Sequence, residues 1–180
     1  MNILIVTQYF WPENFRINDL VAELKERGHQ VTILTGKPNY PTGSYHEGFS
    51  FWGRTFDSYL GCKVIRAPLL PRGKGSGSRL AANYISFAVL ASLLAPLLRR
   101  ERCDIIFVFQ MSPITAALPA IVLKKLVKKP LLLWVQDLWP ESLSASGAIR
   151  SPWLLSLVER LVRYIYRQSD RILIQSRRFQ

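Results

Sequence analysis

Cysteine and histidine are scarce in this 180-residue sequence, with two of each. Cys62 and Cys103 each open a strand-like run, and their spacing fits no zinc motif. A chain of this length builds a core without staples, so both thiols are expected to be reduced, in a cytosolic compartment. His29 and His46 fall in separate loop-like stretches with no carboxylate at ligand spacing, and no metal site is expected. Negative charge is also short: 12 Asp and Glu face 24 Lys and Arg, a net charge of +12. The imbalance is local. Residues 1–62 hold five basic and six acidic groups, whereas residues 63–180 hold nineteen and six. A basic half predicts an anionic partner: a membrane surface, a nucleic acid or a phosphorylated substrate. No basic residue precedes the first apolar run, and Pro12 interrupts it, so the N-terminus does not read as a signal peptide.

Glycine is missing where a dinucleotide-binding unit would need it. Asn2-Ile3-Leu4-Ile5-Val6-Thr7 reads as a buried strand. The turn after it, Gln8-Tyr9-Phe10-Trp11-Pro12-Glu13-Asn14-Phe15, has three aromatics, a proline and a carboxylate before its final phenylalanine, and no glycine. A backbone approach to a pyrophosphate, as in the glycine fingerprint, is not written here.

The rest alternates. Ile17, Leu20, Val21 and Leu24 recur at helical spacing, and Gly28 follows as a stop. A second strand runs over residues 30–35, and strand, helix, strand makes a parallel βαβ unit. Residues 36–60 have no period and are too aromatic for a solvated linker; a loop of this length inside a domain is usually functional. A third strand spans residues 62–66, and a flexible loop follows to Ser78. Residues 80–98 then carry no charge. Three readings stand: a core helix packed on the sheet, which is preferred, a helix dipping into a membrane interface, and a full span. A fourth strand covers 104–109. Ser112-Pro113 then reads as an N-cap and first-turn proline, with Ile114, Ala117, Leu118, Ile121 and Val122 as the buried stripe. Lys124, Lys125, Lys128 and Lys129 suit that helix's C-terminal dipole, yet exceed what a cap needs. A fifth strand covers 131–135. Ser151-Pro152 opens a helix with a stripe of Leu154, Val158, Leu161 and Ile165, and a sixth strand begins at Arg171. The architecture is α/β: a Rossmann-like, doubly wound parallel sheet of six or seven strands. Order 3-2-1-4-5-6 places a ligand crevice beyond the C-terminal ends of the first and fourth strands.

Three segments should meet there: residues 8–16, 109–113 and 136–142. Trp-Pro-Glu occurs twice in them, at 11–13 and at 139–141. Trp11 and Trp139 beside Glu13 and Glu141 suit carbohydrate, whose apolar ring face stacks on indole while its hydroxyls meet carboxylates. The same residues serve equally as turn makers. Asn39 and Tyr40 follow the second strand on that edge, and Gln110 and Ser112 open a helix N-terminus able to hold an oxyanion.

The segments ILIVTQYFWPENFRINDLVAELKERGHQVTILTGKPNYPTG, DIIFVFQMSP and LLLWVQDLWPESL resemble the N-terminal half of bacterial family-4 glycosyltransferases, nearest the N-acetyl-fucosamine transferases of O-antigen and capsule synthesis. The resemblance implies a GT-B enzyme in which residues 1–180 are the acceptor domain and the donor domain lies outside this chain. It implies retaining transfer to a polyprenyl-diphosphate-linked saccharide at the inner face of the cytoplasmic membrane. This domain would bind no cofactor, and a UDP- or GDP-sugar would sit on the other domain. Many relatives carry a histidine after the fifth strand, where this chain has Gln136-Asp137. A glutamine is no base, so Asp137 is the better candidate for contact with the reacting sugars, with Gln136 and Glu141 beside it. Glu13, Asn14 and Arg16 would face the acceptor. Arg72, Lys74, Arg79, Lys124, Lys125 and Lys128 would meet phosphate or lipid. The isolated chain is expected to be inactive.

Three other readings are kept: a nucleotide-sugar 2-epimerase half on the same scaffold, a standalone basic binding module, and a dinucleotide oxidoreductase. No helix-turn-helix, zinc-finger or RNA-binding signature appears, so nucleic acid is not an expected partner.

Overall fold

The computed structural model describes residues 1–147, 149 and 151–176. Among these residues, seven strands form one sheet: β1 Asn2–Val6, β2 Gln30–Gly36, β3 Phe56–Tyr59, β4 Cys62–Ala67, β5 Ile105–Gln110, β6 Leu131–Val135 and β7 Arg171–Ile174. Their order is β3-β4-β2-β1-β5-β6-β7, and every pair is parallel except β3 with β4. Without β3 this is the expected doubly wound order. The apolar runs form the central strands because these are covered on both faces: Leu4, Ile5, Val6, Ile33 and Leu34 are all buried.

The helices follow the connections. Helix α1 (Arg16–Glu26) packs Ile17 and Val21 on one face of the sheet. Helices α2 (Gly77–Leu94), α3 (Leu118–Val127) and α5 (Pro152–Gln168) share the other face, where the larger core lies. A short helix α4 (Glu141–Ala145) follows β6.

Four local expectations change. The irregular stretch 36–60 contains β3, an antiparallel edge strand. Leu60 and Gly61 join it to β4 with φ of 49° and 73°, so Tyr59 pairs directly with Cys62 across a two-residue turn. Both positions of such a turn require the left-handed region, which glycine or asparagine enters readily and leucine does not. Leu60→Asn should therefore stabilise the fold by about 1 kcal/mol, read as a higher urea midpoint at unchanged slope. Second, Ser112 caps nothing. Pro113 is extended, Ile114–Ala117 forms a 3-10 turn, and α3 proper starts at Leu118. Third, Ser151 occupies the N-cap of α5 without a side-chain capping bond. Fourth, the stripe of α5 loses its first member: Val158, Leu161 and Ile165 pack on the core as expected, joined by buried Val162, whereas Leu154 is exposed.

The uncharged run 80–98 is the crossover helix α2, extended by a 3-10 turn at Ala95–Arg100. Phe87, Ala88, Ala91, Ala95 and Leu98 pack inward. The outward half is not buried, so α2 is a core helix on one side only.

Candidate functional site

The C-terminal rim of the sheet is built around the glycine-free turn. Glu13 does not face open space, contrary to its expected role with substrate. It is 2% exposed. Its Oε1 accepts the N–H groups of Asn39 at 2.8 Å and Tyr40 at 2.7 Å, and its Oε2 accepts that of Phe10 at 3.2 Å. Burial pushes its pKa up, while these three N–H donors pull it down. The residue that would decorate the crevice instead ties the turn after β1 to the loop after β2.

Two buried cations complete this frame. Lys37 is 1% exposed, and its ammonium donates to the carbonyls of Ser50, Phe51 and Gly53 at 2.7–2.8 Å. Arg66 on β4 has a fully buried side chain. Its Nε donates to Asp57 of β3 at 2.9 Å, its Nη2 donates to the carbonyl of Trp11 at 2.7 Å, and the guanidinium lies 4.9 Å from the Phe49 ring centroid. Gly43, with φ +81°, packs against the backbone of Gly73; a side chain there would collide with it, so the loops after β2 and β4 interlock.

On this frame stands an aromatic and cationic surface. Trp11 is 40% exposed, with its ring 5.5 Å from that of Tyr59. Tyr40 is 37% exposed and packs on Phe15, their centroids 5.1 Å apart. The Arg72 guanidinium lies 5.0 Å from the Tyr40 ring and 6.0 Å from that of Tyr9, within cation–π range. Burial first, and then neighbouring Tyr84, push the Tyr9 hydroxyl well above its ordinary pKa, although Arg72 opposes this. Asn39 is buried: its side chain accepts from the Arg72 N–H and the Asn83 amide and donates to Lys37 O. Asn14 and Arg16 are exposed and contribute no contact to this cluster among the described residues.

The second half of the rim follows β5 and β6. Gln110 is fully buried and donates to the carbonyls of Met111 at 3.1 Å and Asp137 at 3.3 Å. The Gln136 N–H donates to Gln110 O, and its side-chain oxygen accepts from Gln175. Asp137 is half-buried, and its Oδ2 accepts the indole N–H of Trp139 at 3.1 Å. Trp139 itself is 8% exposed and packs on Tyr84 in the core. It is therefore no stacking plate for a sugar, contrary to expectation: its ring belongs to the core beside Tyr84 of α2 while its N–H donates to Asp137. Glu141 is exposed at the start of α4, and Ser112 is half-buried.

Asn83 joins the halves, and the sequence reading missed this. It is fully buried on α2, accepts from Gln8 Nε2 at 2.7 Å and donates to Leu70 O at 2.6 Å. Its neighbour Tyr84 meets Trp139. The signal was present, since Asn83 shares the inward stripe of Phe87 and Ala91 at helical spacing. Six buried side-chain polar atoms lack a hydrogen-bond partner among the described residues. Five of them, on Gln8, Gln110, Thr115, Gln136 and Ser142, lie at or within a few residues beyond the C-terminal ends of β1, β5 and β6. Unpaired buried polar atoms are costly and few in native folds, and here they gather at one rim.

The expected cations separate. Arg72 is at the crevice. Lys74 and Arg79 border it in the exposed loop and first turn of α2. Lys124, Lys125 and Lys128 lie at the opposite edge, because α3 descends from the rim to the start of β6. Lys124 is held there by Asp170 at 2.7 Å and by Gln168 O. These three lysines therefore cannot meet a phosphate bound at the rim.

Among the described residues, no group of His, Cys, Asp and Glu could hold a metal ion. No curated relative matches the sequence significantly. Two similar solved structures are glycosyltransferase VinC in complex with DTDP and Os79 from O. sativa in complex with UDP. VinC is 12% identical with a TM-score of 0.48, covering 89% of this chain and 44% of its own. Os79 is 12% identical with a TM-score of 0.43, covering 98% and 46%. The chain thus spans less than half the length of either. Residues 14–180 match the family described as "Glycosyl transferase 4-like domain", and the chain belongs to that family.

Proposed function

We propose that this chain is the acceptor-holding half of a GT-B glycosyltransferase. The enzyme moves a sugar, with retention, from a UDP- or GDP-sugar to a polyprenyl-diphosphate-linked saccharide in bacterial surface polysaccharide synthesis. The donor domain is a separate unit facing this rim, and the enzyme works at the inner face of the cytoplasmic membrane. The observation that carries the reading is the rim itself. Trp11 and Tyr40 offer ring faces, Arg72 offers a cation close to the rings of Tyr9 and Tyr40, and Asp137 offers an oriented carboxylate. Ring faces and a carboxylate on one rim suit a sugar, and a guanidinium suits a phosphate oxygen. The turn after β1 is filled by Phe10 and Glu13, which leaves no backbone cradle for a dinucleotide. In this reading Asp137 orients a hydroxyl of the reacting sugars, with Gln136 and Glu141 nearby.

The test is an assay of radiolabelled nucleotide-sugar transfer to a lipid-diphosphate saccharide. The 180-residue chain should transfer nothing alone and should gain transfer when joined to a donor domain. Efficient turnover by the chain alone would sink the half-enzyme reading. A free epimerised nucleotide sugar, with no new glycosidic bond, would move the assignment to the 2-epimerase class, and a stoichiometric NAD complex would move it to an oxidoreductase.

A further inference from the structure

Helix α2 has one face it cannot give up and one it leaves bare. Inward, Asn83 is pinned to Gln8, Asn39 and Leu70, and Phe87 and Ala91 are buried against the sheet. Outward, Ile85, Val89, Leu93 and Leu97 recur every fourth position and are 52–69% exposed. Beside them runs an open groove of about 410 Å³ lined by Phe51, Leu70, Ala82, Ile85, Val89 and Leu90, with Ser86 as its one polar side chain. Leu70 is 47% exposed. Trp52, stacked edge-on against Phe51 at 4.8 Å, is 89% exposed. Contiguous apolar faces of this kind mark an interaction surface.

The charges around the face select its partner. No carboxylate stands between Asp57 and Glu101 in the sequence. Exposed Lys74 and Arg79 flank the first turn of α2, and exposed Arg99, Arg100 and Arg102 flank its end. Lys125, Lys128 and Lys129 gather at the same edge, since α3 packs on the 3-10 turn and ends where β6 starts. An apolar stripe between two sets of cations, with an exposed tryptophan at its margin, matches the layering of a bilayer surface: acyl boundary in the middle, anionic headgroups at the ends. A second copy of the chain would set cation against cation. A full span would tear Asn83 from its partners and α2 from the core.

We propose that this face docks the protein on anionic phospholipid. Helix α2 lies in the plane of the interface, with Ile85, Val89, Leu93 and Leu97 dipping below the headgroups and Trp52 anchoring the margin. The inference does not rest on the transfer reading, because vesicle binding needs neither donor nor acceptor.

Sedimentation of the full chain with vesicles tests it. Vesicles of 30% phosphatidylglycerol in phosphatidylcholine should bind about tenfold or more tightly than pure phosphatidylcholine at 0.1 M salt, an advantage that shrinks at 0.5 M. Val89→Asp with Leu93→Asp, both at exposed positions, should lower partitioning about tenfold or more with unchanged circular dichroism. Trp52→Ala should lower it several-fold, and Arg99→Glu with Arg100→Glu should weaken binding to the anionic vesicles alone. Parent-like vesicle binding by the double aspartate variant, or equal binding of the parent to neutral vesicles, overturns the proposal. So does a parent that ignores vesicles but sediments as a dimer that the aspartates dissociate.

Discussion

The Asp57→Ala variant is expected to lose about 3–5 kcal/mol of stability, the usual result of stranding one member of a buried ion pair. Arg66 has no exposed surface, and the side chain of Asp57 is 11% exposed. Arg66 already has one buried nitrogen, Nη1, without a partner among the described residues. Without Asp57 its charge would keep only the Trp11 carbonyl and the face of Phe49. In a chain of this size the loss corresponds to a thermal midpoint roughly 10 °C lower. Adding Arg66→Met removes the stranded charge, and the double variant should recover much of the deficit, since a buried pair often exchanges for apolar packing at little cost. A double variant no more stable than Asp57→Ala would show that Arg66 matters as a backbone tie rather than as a charge. The pair also predicts an acid limb. Burial raises the Asp57 pKa, but the Ser58 N–H and the Arg66 guanidinium outweigh it and hold the carboxyl below its ordinary 3.8. Stability from the pair is thus fully present above that value and is lost as pH falls through the lower folded-state pKa. The alanine variant should lack this component of the acid limb.

If the chain is the acceptor half proposed above, Asp137→Asn in the complete transferase should cut kcat by about a hundredfold or more while moving the unfolding midpoint little. A positioned carboxylate that takes or orients a proton contributes typically 10²–10⁴ in rate. Asparagine keeps an acceptor oxygen for the Trp139 indole, so the core contact between Trp139 and Tyr84 survives. Asp137 is half-buried and belongs to no ion pair among the described residues, which leaves little folding energy to lose. Equal falls in turnover and in urea midpoint would make Asp137 a structural residue. The two variants thus separate the frame of the site from its chemistry.

The sheet was legible because its strands are continuous apolar runs separated by helical periods, and parallel crossovers admit few orders. Strand β3 was not, because Phe-Asp-Ser-Tyr is half polar and its turn uses leucine where asparagine would have announced a hairpin. The roles of Glu13 and Trp139 were misread for a different reason. A carboxylate after a strand looks the same in sequence whether it greets a ligand or three backbone N–H groups. An indole on a rim loop does not declare which way it points. Asn83 could have been found, since an amide on the inward stripe of an uncharged helix must have buried partners. Arg66 could not, because Val64 through Ala67 are all buried and no alternation singles it out.

Lys37, spending its three donors on the carbonyls of residues 50, 51 and 53, bears on how a ligand arrives. Together with Glu13 it fastens both loops of the rim to the sheet, so the surface bearing Trp11 and Tyr40 is shaped during folding. A ligand meeting that surface has little loop entropy to quench, and more of its contact energy survives as affinity. In the half-enzyme proposed above, the donor domain rather than these loops is then the part left free to move between turnovers.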